Sequence, residues 1–405
     1  MTYIGIDNIN TEITQKLKGK RVGLITNNMA RNSELVSSLD IIRSVKGIRT
    51  FTVLSPEHGY FGDFQSGLTV NSYFDKDLNT SVESLYREPE DLSKDEKTDI
   101  DASMRTIDSK KDASKYPPRE LVDRFDVILY DLQDVGCRIY TYIATLVYSM
   151  KMLNIAEKEF IVLDRPNPIT GLNAEGPILK KELFSFIGAL PIPMRHSLTI
   201  GEIAQFFNTF MNKGRTNLNI IKMKSWNRSQ WYDQTDQPWV MPSPNMPTLE
   251  TATVYPGNIL IEGTNVSEGR GTTKPFQMIG APWLNGLKLK ERLMQLKIPG
   301  LRIMEVKFRP SFSKYVGEVC NGVYIHISDR NAFRPFAFAL DMIGEILDMY
   351  PDYFQFHSSY FDKASGNKTV RGMLLDGYTG TEILDKFTDE VKKFNLDMEE
   401  IKIYK

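Results

Sequence analysis

Between Arg21 and Met223 the chain repeats one unit, a short and almost wholly apolar run followed by a stretch whose apolar residues fall at helical spacing. The runs are Arg21–Thr26, Arg49–Leu54, Asp126–Asp131, Glu159–Asp164 and Asn217–Met223. Between them lie the stripes Leu35, Leu39 and Ile42, with Gly47 placed to stop the helix, and Ile143, Leu146, Val147, Met150 and Leu153. A third stripe, Ile203, Phe206, Phe207 and Phe210, follows Thr199. Strands covered on both faces read as continuous apolar runs, and parallel strands need helical crossovers, so the alternation predicts a parallel sheet with helices on it.

The last third changes character. Lys288–Gln295 reads as a helix and Leu301–Phe308 as a strand, while Val323, Ile325 and Ile327 alternate with polar neighbours as in a half-buried strand. Phe336, Leu340, Ile343 and Leu347 form the stripe of a covering helix. With 405 residues, the chain exceeds the roughly 250–300 at which a single core stops growing. The expected fold class is α/β, with a Rossmann-like parallel-sheet domain over residues 1–237 and a smaller α+β domain over 238–405. Two segments depart from this pattern. Glu88–Arg119 is dense in Lys, Asp, Glu and Ser and reads as a solvated excursion. Residues 238–282 hold seven of the 20 prolines and few charges, so they are expected to line a cleft.

Composition removes several functional classes. The net charge is −1 and Lys and Arg are spread along the chain, which argues against a nucleic-acid partner. Cys137 and Cys320 alone make neither a disulfide framework nor a zinc site. No apolar run approaches the roughly 18 residues of a membrane span, and the N-terminus lacks the basic start and apolar stretch of a signal peptide. The chain as given therefore points to the cytoplasm, with an exported mature form still compatible. No glycine-rich fingerprint follows the first strand, so no nucleotide cofactor is expected.

Each of the first four apolar runs ends in a chemically capable loop. The first gives Thr26-Asn27-Asn28, the second Ser55-Pro56-Glu57-His58-Gly59, the third Asp131-Leu132-Gln133-Asp134-Val135-Gly136 and the fourth Asp164-Arg165-Pro166-Asn167-Pro168. In open α/β sheets ligands bind beyond the carboxyl ends of the strands, so these loops should converge on one crevice. By contrast, Thr199-Ile200-Gly201-Glu202 has capping-box spacing, which assigns Glu202 to a helix start.

These motifs, with Tyr-Thr-Tyr (140–142), Glu-Gly-Pro (175–177), Arg-His (195–196), Pro-Ser-Pro-Asn (242–245) and Glu-Gly-Thr-Asn-Val-Ser-Glu-Gly-Arg-Gly-Thr (262–272), occur in a fixed order over nearly the whole chain. The series closely resembles the NamZ-like exo-β-N-acetylmuramidases. The resemblance implies a glycosidase without a cofactor that releases N-acetylmuramic acid from the non-reducing end of peptidoglycan-derived saccharides. Three features depart from the family pattern: the length of the excursion, and Arg87 and Ser197 where glycines are expected.

Glycoside hydrolysis needs a proton donor at the leaving oxygen and, usually, a second carboxylate. Glu57 is the first choice for the acid, with His58 orienting it or the substrate. Asp131, Asp134, Glu262 and Glu268 compete for the second role, and a nucleophilic acetamido group of the substrate is a third route. Arg138, Arg165, Arg195 and Arg270 are the candidates for the lactyl carboxylate, since a guanidinium matches a carboxylate in a bidentate fashion. Asn27, Gln133, Tyr142, Asn167, His196, Asn245 and Asn265 complete the expected substrate-binding set, with Tyr140 and Tyr142 discounted as core aromatics. Two other readings stand beside this one: a metal-dependent hydrolase using His58, Asp131 and Asp134, and a sugar-binding protein without catalysis.

Overall fold

The structure is a computed structural model that describes residues 1–65, 67–68, 70–88 and 113–405. Most of the polar excursion, residues 89–112, lies outside the described residues. Among the described residues, ten strands form two sheets: β1 (Arg21–Thr26), β2 (Thr50–Ser55), β3 (Tyr73–Asp75), β4 (Thr80–Ser84), β5 (Val127–Asp131), β6 (Glu159–Leu163), β7 (Asn217–Ile221), β8 (Met278–Ala281), β9 (Leu301–Phe308) and β10 (Cys320–Ile327). The first sheet runs β3-β4-β2-β1-β5-β6-β7, parallel throughout except for the edge strand β3. The second is antiparallel, in the order β8-β10-β9.

Without β3, the parallel strands follow the order third, second, first, fourth, fifth, sixth, which is the Rossmann arrangement. Chain direction across the sheet reverses between β1 and β5, and the loops that leave these strands diverge to opposite sides and open a crevice. The fold class is therefore the expected one.

Successive strand residues point to opposite faces, and the two cores follow that period. Val22, Leu24, Val127, Leu129, Ile161 and Leu163 pack on one face against Ile13 and Leu17. Ile128, Tyr130, Phe160 and Val162 pack on the other, against Ile143, Leu146 and Val147 of the helix Tyr142–Ala156. That second core runs without a break into Val323 and Ile325 of β10 and Phe336, Leu340 and Ile343 of the helix Pro335–Met349. The C-terminus returns to the first sheet: Tyr404 packs edge-on to Trp226, and its hydroxyl donates to Asp164 at 2.6 Å.

Several local expectations change. Leu35 is not on a helical stripe: it stands at φ 58 in a turn, 49% exposed, and the helix is confined to Ser38–Arg43. Phe210 belongs to a π-helical turn, Phe207–Met211, which rotates it outward to 47% exposure. The excursion does not stay solvated to its end, because Ala113, Ser114 and Tyr116 are buried and Tyr116 stacks on Tyr148 with ring centroids 4.2 Å apart. Within 238–282 the chain is more regular than its prolines suggest, with a helix at Leu249–Asn258 and strand β8. The capping box at Thr199 and Glu202 forms as expected, and Arg228 pairs with the same glutamate at 2.6 Å. Among the described residues, no helix is long and apolar enough to cross a membrane.

Candidate active site

The crevice at the strand ends narrows to a pocket of about 140 Å³. It is lined from the first sheet by Glu57, His58, Ile139, Tyr140 and Thr141, and from the later chain by Ser243, Asn245, Met246, Tyr255, Ile259, Glu262, Arg270, Phe276 and Tyr360. A larger cavity, about 770 Å³, lies around the helices Pro335–Met349 and Thr388–Met398, and of the strand-loop motif residues it takes in only Glu175 and Gly176. The smaller pocket is the one where the chemistry gathers.

Glu57 is delivered by a tight turn after β2. Gly59 donates its N–H to Pro56 at 3.1 Å, and His58 and Gly59 both take positive φ, 73 and 76. A histidine at φ 73 is strained, and such strain persists only where surrounding contacts hold it. One of those contacts joins His58 Nδ1 to the Phe64 carbonyl at 2.8 Å. A carbonyl only accepts, so Nδ1 carries the proton, and Nε2 makes no hydrogen bond among the described residues. The Glu57 carboxylate accepts from the Thr141 hydroxyl at 2.5 Å and from the Gly67 N–H at 3.1 Å. Thr141 is the N-cap of the helix Tyr142–Ala156, yet its side chain makes no capping bond. Its hydroxyl serves Glu57 instead.

Opposite stands the Gly-Arg-Gly turn. Gly269 and Gly271 both have φ 79, and a β-carbon would fall 2.4 Å from the Met278 carbonyl oxygen at the first and 2.6 Å from that of Phe312 at the second. Only glycine fits either place, and the two fix Arg270 between them. The Arg270 guanidinium lies over Phe276, 5.0 Å from the ring centroid. Its Nε is 3.3 Å from Glu262 and 3.5 Å from Glu268, without hydrogen-bond geometry to either. These two carboxylates raise the Arg270 pKa against the opposing effect of burial. None of its nitrogens makes a hydrogen bond among the described residues. Glu262 is held by the Tyr360 hydroxyl, which donates to Oε2 at 2.8 Å. Glu268 is set back from the pocket, 1% exposed, and receives the Lys314 ammonium at 3.0 Å.

The other residues expected at the site hold the crevice together rather than face the pocket. Asp131 is buried against Arg165, whose Nη2 donates to it at 3.0 Å, and also accepts from Ser38. Arg138 is 1% exposed and donates to the carbonyls of Pro177 at 2.8 Å, Ile192 at 3.0 Å and Ala364 at 2.8 Å. Arg195 donates to the Ile169 carbonyl at 2.5 Å and lies over Trp231. Burial pushes both guanidinium groups down to about 10, Arg195 against the partial support of Glu175. His196 Nδ1 accepts the Leu198 N–H at 3.1 Å, so its Nε2 carries the proton and donates to Asp134 at 3.1 Å. Asp134 also accepts the Gly136 N–H at 2.7 Å.

Gln133 donates to the Asp134 and Pro166 carbonyls, and Asn167 to that of Leu198. Asn265 ties its loop to Tyr353 and Gln355. Asn27 donates to the Tyr142 hydroxyl at 2.9 Å, which donates in turn to the Pro242 carbonyl at 2.8 Å. That pair links the end of β1 to the Pro-Ser-Pro-Asn loop. Asn245 does line the pocket and donates to Gln65 at 2.9 Å. His58, Asp131 and Asp134, the trio considered for a metal, are each engaged with different partners, and among the described residues no group of three or more such side chains could hold a metal ion.

Tyr140, Thr141, Ser243, Tyr255 and Tyr360 are the polar pocket residues outside the set expected from the sequence. Thr141 and Ser243 lay inside quoted motifs, and Tyr140 was discounted as core. Tyr360 stands in no motif.

Comparison with known proteins shows the family. Residues 22–109 and 107–250 match the N-terminal part, and residues 253–404 the C-terminal part, of the family described as Exo-beta-N-acetylmuramidase NamZ. The peptidoglycan beta-N-acetylmuramidase NamZ of Bacillus subtilis (strain 168) is 40% identical over 401 residues, 99% of this chain and 91% of that protein. Two crystal structures of DUF1343 family proteins from Bacteroides fragilis NCTC 9343 are also similar. One has TM-score 0.85 at 30% identity and the other TM-score 0.76 at 25%, each over 100% of this chain and 99% of its own. The chain belongs to the NamZ family of exo-β-N-acetylmuramidases, which makes it a glycosidase.

Proposed function

We propose that this glycosidase releases N-acetylmuramic acid from the non-reducing end of peptidoglycan fragments, with Glu57 as the general acid/base and Arg270 as the reader of the lactyl carboxylate. The observation that carries this reading is the contrast among four arginines. Arg138, Arg165 and Arg195 spend their guanidinium groups on buried carbonyls or on Asp131. Arg270 lines the pocket and spends no hydrogen bond. A guanidinium presented in this way suits bidentate binding of a carboxylate. Muramic acid carries one and N-acetylglucosamine does not.

The rest of the pocket fits the same substrate. At about 140 Å³ it is well below the roughly 300 Å³ of drug-sized sites, which favours one terminal sugar over a chain threading through. Among the contenders for the second carboxylate, Glu262 is the one that lines the pocket, and it takes that role here in place of Asp131, Asp134 or Glu268. Thr141 suits Glu57 in both of its states. The hydroxyl donates to the carboxylate and, by rotating, accepts from the acid, so Glu57 can give a proton to the leaving oxygen and recover it from water.

The test compares chromogenic glycosides of N-acetylmuramic acid and N-acetylglucosamine. Wild-type protein should prefer the first by more than the roughly 10–200-fold of an apolar-methylene difference, and Arg270→Gln should narrow that gap through the muramic acid substrate alone. Equal turnover of the two glycosides by wild-type protein would refute carboxylate recognition.

A further inference from the structure

The pocket contains a buried hydroxyl that the fold pairs only poorly. Tyr140 is 6% exposed and lines the pocket one residue before Thr141. Its phenolic oxygen is buried without a well-formed hydrogen bond, and the Ser243 hydroxyl stands beside it. Burial drives the Tyr140 hydroxyl well above its ordinary titration range, so it remains a neutral O–H donor. Such a group costs stability in the free protein, because water has been stripped from it and the Ser243 contact replaces it only in part.

Its surroundings define what would replace the water. The Tyr140 ring meets Tyr142 edge-on at 4.9 Å and Tyr255 at 6.2 Å, and Tyr255 meets Phe276 at 4.8 Å. A donor hydroxyl, a second hydroxyl beside it and an aromatic wall behind make a seat for a small group with one oxygen acceptor and one methyl. A sugar hydroxyl would satisfy the oxygen and leave the wall bare. An acetamido group satisfies both, its carbonyl accepting from the two hydroxyls and its methyl covering the rings.

We propose that Tyr140, assisted by Ser243, recognises the N-acetyl group of the substrate sugar and is a specificity-determining residue of the site. This rests on reading the pocket as the muramic acid site. It is independent of Arg270, which addresses a different substituent of the same sugar.

The experiment measures the binding of N-acetylmuramic acid and of its N-deacetylated counterpart, muramic acid, by titration calorimetry, together with thermal unfolding of the free proteins. Wild-type protein should bind the N-acetylated sugar more tightly. Tyr140→Phe keeps the ring and removes a poorly paired buried hydroxyl, so its melting temperature should equal or exceed that of wild type. Its affinity for N-acetylmuramic acid should fall roughly tenfold, while muramic acid binding changes by less than about twofold. Ser243→Ala should act in the same direction with a smaller loss. Unchanged binding of N-acetylmuramic acid by Tyr140→Phe overturns the proposal. So does an equal loss for both sugars, which would mean a contact shared by them, or a clear drop in melting temperature, which would mean a structural role. Wild-type protein that binds neither sugar would remove the muramic acid reading as well as the acetamido assignment, whereas wild-type binding untouched by the substitution removes the assignment alone.

Discussion

Thr141→Val removes one of the hydrogen bonds that hold Glu57, the acid/base proposed above. Valine has the shape of threonine with a methyl in place of the hydroxyl, and Thr141 gives its helix no side-chain cap, so the helix Tyr142–Ala156 loses nothing directly. The hydroxyl's hydrogen bond is the one to Glu57 Oε2 at 2.5 Å. Hydrogen bonds to charged groups are worth about 1.5–3 kcal/mol, which corresponds to roughly 10- to 150-fold in rate if the bond is fully needed in the transition state. Glu57 lies in a pocket that opens to solvent, so water can take over part of this contact and the lower half of the range is expected. The assay is steady-state hydrolysis of a chromogenic N-acetylmuramic acid glycoside, with kcat and KM separated. The loss should fall on kcat, with KM within about threefold, since the bond positions a reacting group rather than binding the sugar. Thr141→Ser keeps the hydroxyl and should recover most of the rate. If Thr141→Val retains wild-type kcat, then either Glu57 is not the reacting carboxylate or Thr141 does not position it. A fall in kcat that serine fails to rescue would instead mean disturbed packing.

Three further outcomes are expected. Glu57→Gln should lower turnover about 10²–10⁴-fold while leaving thermal unfolding near that of wild type, because the amide keeps the shape but not the proton; near-wild-type rates would end the assignment. Asp164 is pushed up to about 7 by burial, against the hydrogen bond from Tyr404, so the folded protein holds a proton that the unfolded chain gives up at ordinary carboxylate pH. Stability should accordingly fall as pH rises from about 4 to 7, by at most about 4 kcal/mol, and Asp164→Asn should remove that part of the slope in urea unfolding; identical slopes would refute it. Tyr404→Phe keeps the packing on Trp226 but withdraws a donor from Asp164 and an acceptor from the Met223 N–H, and should cost about 1–3 kcal/mol in the same assay.

The sequence was informative wherever a local pattern decides the outcome. Five parallel strands were legible within two residues, because all but the half-exposed edge strand β7 are runs of mostly buried side chains, and Glu57 was legible because the turn after β2 announces itself by proline and glycine. The edge strand β3, the largely polar β4 beside it and the short β8 were not, since so few apolar residues carry too little pattern. The site divided along the same line. Four arginines looked equivalent because whether a guanidinium is free depends on carbonyls far away in the chain, and Ala364, which accepts from Arg138, is 226 positions from it. Glu262 and Glu268 share one loop, and what separates them is Lys314, which reaches Glu268 from 46 positions away. Ser197 is the opposite case. It stands where glycine was expected, and its φ of 59 shows why glycine suits that position.

What distinguishes the pocket from the rest of the polar interior is who completes its hydrogen bonds. Behind it, Arg165 meets Asp131, Arg228 meets Glu202 and His196 meets Asp134, each charge or dipole answered by the fold itself. Inside it, Arg270 has Glu262 and Glu268 for charge but no hydrogen bond, the Tyr140 hydroxyl has only Ser243 beside it, and His58 Nε2 makes no hydrogen bond among the described residues, and His58 is held in a left-handed backbone besides. A fold optimised for stability alone would pair or remove these groups. Their cost makes sense when a ligand supplies the partners: a carboxylate for the guanidinium, a carbonyl for the phenol and a hydroxyl for the imidazole. All three belong to one N-acetylated, lactyl-bearing sugar. Binding energy from the two substituents, neither of which reacts, is then available to hold the glycosidic bond against Glu57, so a sugar lacking either should lose rate as well as affinity.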